Sequence, residues 1–234
     1  LLFYFASGNF FFYLSAVMLG PLVLSFSSVT SMGVAQTVMG AGMLVGSLAM
    51  SVWGGPKNRK VLAVIGFIAL ATLGFIIAGL QPSLTLVSVG VFLLTFFIPF
   101  ASGPSSAIFA AKVAPEVQGR VFATRSMVSQ SMMPLAFLLS GILADNVFNP
   151  LLVTGGPLAD TFVGRWIGVG PGRGIGLMII TSGVLLLLIS LAAYANPRIR
   201  NIESEIPDAI SETADESGDP ASQKEGQAPS PVAG

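Results

Sequence analysis

Long apolar stretches alternate with short polar ones along the chain, and this pattern predicts its secondary structure. The longest stretches without a charged residue are 1–56 and 61–111, and two more cover 126–144 and 174–197. A helix needs roughly 20 apolar residues to cross the ~30 Å hydrocarbon core of a membrane. Dividing the stretches at charges and at Gly, Pro, Asn and Ser clusters gives six segments of about that length. We place them at 2–25, 30–52, 61–79, 84–110, 122–144 and 174–195.

The segments are predicted to be helices rather than strands of a membrane barrel. They are continuously apolar, whereas barrel strands alternate apolar and polar positions. Because lipid offers the backbone no hydrogen bonds, an isolated span must satisfy its own N–H and C=O groups, as a helix does. The predicted fold class is therefore an all-α membrane protein, with six transmembrane helices over residues 1–195.

The distribution of basic residues predicts the orientation. With the N-terminus in the cytoplasm, eight Lys and Arg residues lie near the inner ends of the segments and two near the outer ends. Cytoplasmic loops carry such an excess. Arg125, at the start of the fifth segment, belongs to the inner group because a long side chain can reach the interface from within a helix. We therefore expect a multi-pass plasma-membrane protein with both termini in the cytoplasm.

The composition changes abruptly at Asn196. Residues 196–234 contain eight Asp and Glu against three Lys and Arg, with no aromatic residue. Such a segment buries too little apolar surface to offset the entropy cost of ordering. We predict a disordered acidic cytoplasmic tail, which is either a plain solvated extension or a docking segment.

The overall composition excludes several classes of protein. Hydrophobic residues make up 53% of the chain and charged residues only 9%, against about 25% charged in soluble domains. The absence of Cys and His excludes thiol nucleophiles, His-assisted hydrolysis and the common zinc sites. The sequence has no Gly-rich phosphate loop and no clustered basic stripe, so we expect no cofactor and no nucleic-acid partner. An intramembrane protease would lack its Ser–His or paired Asp groups here, and no enzymatic activity is predicted.

Three polar side chains inside the predicted spans are candidates for contact with a transported small molecule. They are Asn9, Gln36 and Gln130. A polar side chain at this depth needs a partner in the bundle or in a water-filled cavity. Interhelical hydrogen bonding is the competing role for all three, because such bonds are common in membrane bundles. No charged residue is expected at the centre of any span.

Glycine and proline mark packing faces and breaks in the spans. Gly42 and Gly46 form a small-xxx-small step, which lets two helix backbones approach closely. Prolines inside spans favour a transport role, because transporters build their central sites around interrupted helices. These prolines are Pro21, Pro99, Pro104 and Pro134.

Two loops that lie three segments apart resemble each other. WGGPKNRK (Trp53–Lys60) and WIGVGPGRG (Trp166–Gly174) each combine a Trp, a Gly-Pro step and an Arg. Because three is an odd number, the two loops face opposite sides of the membrane, as an inverted 3+3 repeat requires. The cations of the first loop are candidates either for a gating contact or for an anchor to anionic headgroups. These cations are Lys57, Arg59 and Lys60.

The fifth segment and the loop before it carry a recognisable motif. Gly119-Arg120-Val121-Phe122 follows a Val-x-Pro-Glu lead, and Pro134-Leu135, Gly141 and Ala144-Asp145 come later in the segment. On these residues the chain resembles the C-terminal half of a major facilitator superfamily (MFS) transporter, of the branch that includes macrolide-type efflux permeases. The resemblance covers about residues 1–200.

The resemblance implies a twelve-helix fold of two six-helix bundles, in which these segments form the second bundle and the N-terminal bundle is a missing partner. It implies secondary active efflux of a small amphipathic or drug-like compound by alternating access. Helices one, two, four and five would line the path, with Gly119, Arg120 and Asp145 among the gating and loop residues. The family's loop motif is only partly present, because Gly55 stands at its acidic position. The alternative is a non-catalytic six-helix subunit that packs with a partner membrane protein.

Overall fold

The computed structural model describes residues 2–56 and 60–196. Over these residues the chain consists of helices and connecting turns, with no strand. Six of the helices are long and apolar enough to cross a membrane, which confirms the predicted all-α membrane fold. The predictions for Lys57, Arg59 and the acidic tail beyond residue 196 lie outside the described residues.

The long helices match the predicted segments to within a few residues at most ends. In chain order the helices are α1 (Leu2–Leu24), α2 (Val29–Trp53), α3 (Lys60–Leu80), α4 (Leu84–Lys112), α5 (Pro115–Leu143), α6 (Asn149–Leu151), α7 (Phe162–Ile167) and α8 (Arg173–Ala195). The short α6 and α7 lie in the connection between α5 and α8. All four prolines predicted inside spans lie within α1, α4 or α5.

The long helices pack in a definite order around an apolar core. Helix α4 packs on both α2 and α3, α3 packs on α8, α8 packs on α1, and α1 packs on α5. Phe75, Val91 and Ile179 are almost completely buried at the centre of this arrangement. The order α2–α4–α3–α8–α1–α5 leaves α2 and α5 at its two ends, each with one main neighbour.

Glycines allow the closest helix contacts. A Cβ atom added at Gly42 or Gly46 of α2 would collide with the backbone of α4, at Phe92 and Phe96 respectively. The predicted packing role of this small-xxx-small step is therefore confirmed. By contrast, a Cβ atom at Gly40 would meet nothing within 4 Å. Packing of this kind is a main source of helix association in lipid, where no hydrophobic force acts between helices.

Helix α5 begins seven residues earlier than the predicted segment, at Pro115 instead of residue 122. Proline is favoured in the first turn of a helix because its missing N–H would have no partner there. The Gln118 side chain donates hydrogen bonds to the carbonyl oxygens of Ala110 and Val113, at 2.9 and 3.0 Å. These bonds satisfy carbonyl groups at the end of α4. Only two residues separate α4 from α5.

The helical structure after α5 also extends beyond the predicted end at residue 144. A π-helical turn (Ala144–Phe148) continues α5 into α6, so the whole helical stretch runs to Leu151. Gly174, at the start of α8, packs so tightly on the backbone of Asn149 that a Cβ atom would not fit. This contact joins the end of the fifth span to the beginning of the sixth.

Candidate substrate cavity

A half-open cavity of about 350 Å³ lies mainly between α1, α3 and α4. Its volume is at the low end of the roughly 300–1,000 Å³ that is usual for ligand pockets. The residues that line it are Gly8, Asn9, Phe12, Ile68, Ala71, Thr72, Phe75, Leu94, Phe97, Ile98, Ala101, Ser102, Arg125 and Leu186. Helix α2 contributes none of this lining, whereas the sequence predicted a path along helices one, two, four and five.

The cavity walls are mostly aromatic and aliphatic. Phe12 and Phe75 meet edge to face, with their ring centroids 6.2 Å apart. The Thr72 hydroxyl donates to the carbonyl oxygen of Ala69 in its own helix at 2.7 Å, so its hydrogen-bonding capacity is used locally. An apolar wall of this kind accepts the hydrophobic body of a ligand, and the few polar side chains then determine its orientation.

Arg125 is the charged residue among those that line this cavity. It lies ten residues into α5, about 15 Å along the helix from Pro115. Its Nη2 donates a hydrogen bond to the Ser105 Oγ on α4 at 2.8 Å, and its guanidinium carbon lies 4.5 Å from the centroid of the Phe109 ring. The side chain is half-buried. A guanidinium over an aromatic face is a favourable cation–π arrangement.

The structure corrects where Arg125 lies in the fifth helix. The sequence analysis placed Arg125 at the start of a segment that begins at residue 122, whereas α5 begins at Pro115, so Arg125 lies ten residues into the helix and lines the cavity. That Arg125 reaches the inner interface, and that no charged residue lies at the centre of a span, stay predictions. The proline that opens the helix was the signal in the sequence for this earlier start.

The three predicted substrate-binding residues lie in different places. Asn9 lines the cavity that contains Arg125. Gln36 lines a second cavity, of about 220 Å³, between α1, α2 and α4. Gln130 is exposed on α5. The structure therefore does not bring the three side chains to one site, and their contact with a substrate stays a prediction.

The predicted gating residues lie mostly at helix ends. Lys60 is the first residue of α3, and Gly119 and Arg120 are exposed near the start of α5. Asp145 lies in the π-helical turn, where its Oδ1 accepts a hydrogen bond from the Asn149 Nδ2 at 3.3 Å. Their role in gating stays a prediction, as do the roles of Lys57 and Arg59.

An aromatic cluster between α2, α3 and α4 adjoins the cavity. The Trp53 ring lies 5.9 Å from both Phe67 and Phe100, and Phe67 stacks on Phe97 at 6.2 Å. Phe97 also lines the cavity. The cluster therefore places Trp53, which the sequence analysis named only as part of the first loop, close to the cavity wall.

A second arginine is buried near the other end of the bundle. Arg173, the first residue of α8, is only 3% exposed, and its Nη1 donates to the carbonyl oxygen of Ile167 at 3.4 Å. Its guanidinium carbon lies 5.8 Å from the Phe26 ring centroid. Arg173 thus connects the end of α7 to the start of α8. Its Nη2 has no hydrogen-bond partner within the described part of the chain.

The arrangement offers no obvious metal site. Within residues 2–56 and 60–196, no group of three or more His, Cys, Asp or Glu residues could hold a metal ion. The polar groups of the cavity are an amide, hydroxyls and a guanidinium. Taken together, the six helices of the described residues that are long and apolar enough to cross a membrane, and the cavity between them, define the class as a multi-pass membrane protein with a ligand-sized cavity.

Comparison with known proteins agrees with this class and confirms the resemblance seen in the sequence. The chain is similar to Macrolide efflux protein A of Streptococcus pyogenes and of its serotype M6, with 30% identity over 109 residues in each case. It is also similar to Macrolide efflux protein A of Enterococcus faecalis, with 30% identity over 97 residues. No family model and no solved structure matches the chain.

The similarity covers only part of each protein. The match with the streptococcal proteins covers 46% of this chain and 27% of the relative, and the match with the enterococcal protein covers 41% and 30%. The chain thus matches between a quarter and a third of the length of these relatives.

Proposed function

We propose that this chain forms the C-terminal six-helix bundle of a secondary active MFS-type transporter that exports a small amphipathic or drug-like compound by alternating access. The bundle would lie in the plasma membrane with both ends in the cytoplasm. The relatives are named for macrolide efflux, so macrolides are the first compounds to test. Transport rather than catalysis is proposed because these relatives are efflux proteins by name.

The observation that carries this proposal is the combination of the cavity with two helices, α2 and α5, that each pack on one main neighbour. In the most apolar windows of α2 and of the Pro115–Leu151 span only 17% of residues are buried, against 22% in α1, 33% in α4 and 44% in α3 and α8. Helices α2 and α5 are also the two ends of the packing order. Their exposed faces carry large apolar side chains such as Met43, Leu48 and Leu138. A second bundle on these faces would enclose a path between the two halves.

The same exposed faces support the alternative function, a non-catalytic subunit that packs with a different membrane protein. The two proposals differ in what the partner must do. A transporter requires the partner bundle to complete the path, and its substrate flux must stop when the driving ion gradient collapses. A subunit would copurify with its partner but would leave drug accumulation in the cell unchanged.

Whole-cell accumulation tests the proposal. Cells that lack their own drug pumps would express the complete reading frame that contains this chain, and uptake of a labelled macrolide and of a panel of hydrophobic drugs would be followed. We expect lower steady-state accumulation of at least one compound, and recovery to the level of the empty vector after a protonophore is added. Accumulation equal to the empty vector for every compound would contradict the proposed transport.

A further inference from the structure

Arg173, the first residue of α8, is a buried cation whose charge is not balanced by a carboxylate. It is only 3% exposed. Its guanidinium makes two contacts, a 3.4 Å hydrogen bond from Nη1 to the carbonyl oxygen of Ile167 and the approach of its carbon atom to the Phe26 ring. Nη2 is buried without a hydrogen-bond partner, and no carboxylate pairs with the side chain, among the described residues. Because removing a charge from water is costly, buried charges are normally paired.

The position of Arg173 in α8 adds to this cost. The N-terminus of a long helix carries about half a positive charge, and α8 has 23 residues. Its first turn contains no acidic residue, and Gly172 at the N-cap has no side chain that would accept a bond from the first N–H groups. The guanidinium and the helix end therefore bring positive charge together. An anion at this point would be attracted by both.

The Arg173 side chain extends toward the N-terminal end of α8. Side chains of a helix are inclined in that direction. A Cβ atom added at Gly168, which precedes α8 in the chain, would lie 3.3 Å from the Arg173 Cδ, so the side chain passes the loop before the helix. We therefore place the Nη2 donor and the first N–H groups of α8 at the same end of the helix, where one small anion would accept from both.

The close packing around the start of α8 limits the size of a ligand. A Cβ atom at Gly172 would collide with the Ser25 side chain, and one at Gly174 would collide with the backbone of Asn149. Nη2 itself is buried. A lipid headgroup or an organic carboxylate is too large for such surroundings, whereas a monatomic anion or a water molecule is small enough.

From these observations we propose that the start of α8 binds a chloride ion, which accepts hydrogen bonds from Arg173 Nη2 and from the N–H groups of the first turn. This site does not depend on the proposed transport. Water is the competing occupant, because it would accept from Nη2 and donate to the Asn149 Oδ1, which is also buried without a partner among the described residues. Water would leave the charge of Arg173 uncompensated, so only chloride binding makes stability depend on the anion.

Exchange of the anion distinguishes the two occupants. The product of the complete reading frame is purified in neutral detergent, and its thermal unfolding midpoint is measured in sodium chloride and in sodium gluconate at equal ionic strength. Gluconate is too large for the enclosed site. Because a ligand that binds only the folded protein stabilises it, we expect a midpoint that is higher in chloride by roughly 1–4 °C.

Three variants locate the effect. Arg173→Gln removes the charge and should abolish the difference between the two salts. Arg165→Gln removes an exposed charge from the same connection and should preserve the difference. Arg173→Lys keeps a cation but has no second nitrogen in the position of Nη2, so chloride affinity should fall by roughly 3-fold or more. If Arg173→Gln does not fold, Arg173→Lys takes its place in the comparison.

Saturable binding of radiolabelled chloride to the parent protein is the second measurement, and it needs no variant. Equal midpoints in the two salts, the absence of saturable chloride binding, or a chloride response in Arg173→Gln as large as in the parent protein would each overturn the proposal. Because these measurements do not involve transport, unchanged drug accumulation in whole cells would contradict the proposed function without affecting this site.

Discussion

At the scale of single residues, the cavity contains few polar groups, and the partners of two of them, Arg125 and Thr72, differ in kind. Arg125 is positioned by Ser105 and Phe109, whereas the Thr72 hydroxyl bonds to its own helix. Asn9 lines the same cavity from α1. An amide both donates and accepts hydrogen bonds, so Asn9 complements the donor-only guanidinium of Arg125. These two residues are therefore the best candidates for orienting a ligand.

Replacing Asn9 with Ala is expected to reduce efflux of a transported compound by about 2- to 10-fold, the effect of losing one hydrogen bond. Efflux would be measured in cells at matched surface expression, beside Gln36→Ala and Gln130→Ala. Gln36 lines the smaller cavity and Gln130 is exposed, so we expect Asn9→Ala to have the largest effect of the three. Gln81→Ala, an exposed position outside both cavities, is the control. Unchanged efflux in all three variants would remove them from the substrate path.

A second prediction at this scale concerns the glycines of α2. Gly46→Ala places a methyl group against the Phe96 backbone and should destabilise the bundle by about 1–3 kcal/mol, as overpacking does. Gly40→Ala on the same helix meets no neighbour and should be neutral, or stabilising by up to about 1 kcal/mol, because Ala favours helix. Thermal unfolding of the two variants in the same detergent compares them. Equal midpoints would contradict the close approach of α2 and α4.

At the scale of elements, the junction between α4 and α5 depends on one side chain. Gln118 donates to two carbonyl oxygens at the end of α4. Gln118→Met keeps much of the side-chain length but removes both bonds, and should cost about 1–3 kcal/mol for two hydrogen bonds. Denaturant unfolding measures the cost, and proteolysis at Val113 and Ala114 should become faster. Gln81→Met, at an exposed turn, should change neither. A Gln118 variant as resistant as the parent protein would show that the junction does not need these bonds.

The membrane-spanning helices could be predicted from the sequence because a single constraint, backbone hydrogen bonding in lipid, determines them. The apolar stretches predict six helices because a backbone in lipid must satisfy its own hydrogen bonds, and residues 2–56 and 60–196 contain six such helices. The start of α5 was missed because its first turns, with Glu116 and Arg120, are polar and look like a loop when only hydrophobicity is considered. The cavity could not be predicted, because it depends on which faces of α1, α3 and α4 meet. The periodicity of apolar residues within one helix does not show which faces of neighbouring helices meet.

At the scale of the whole molecule, the proposed transporter predicts that the exposed apolar faces of α2 and α5 contact a second bundle. Lipid-facing residues are expected on every outer helix, and α8 also carries exposed leucines such as Leu188. Exposure alone therefore does not identify an interface. The proposal selects α2 and α5 because they are the two ends of the packing order and each has one main neighbour. In the proposed transporter, these two faces meet the other bundle and α8 faces lipid.

This chain has no Cys, so a Cys introduced into it is a unique labelling site once any Cys elsewhere in the complete reading frame has been replaced. A nitroxide spin label would be attached at Met43→Cys on α2, at Leu138→Cys on α5 or at Leu188→Cys on α8, which are 51%, 67% and 55% exposed in the isolated bundle. Accessibility to dissolved oxygen, which concentrates in lipid, would be measured in membranes that contain the product of the complete reading frame. We predict low accessibility at the α2 and α5 positions and high accessibility at the α8 position. High accessibility at all three positions would contradict a second bundle on α2 and α5.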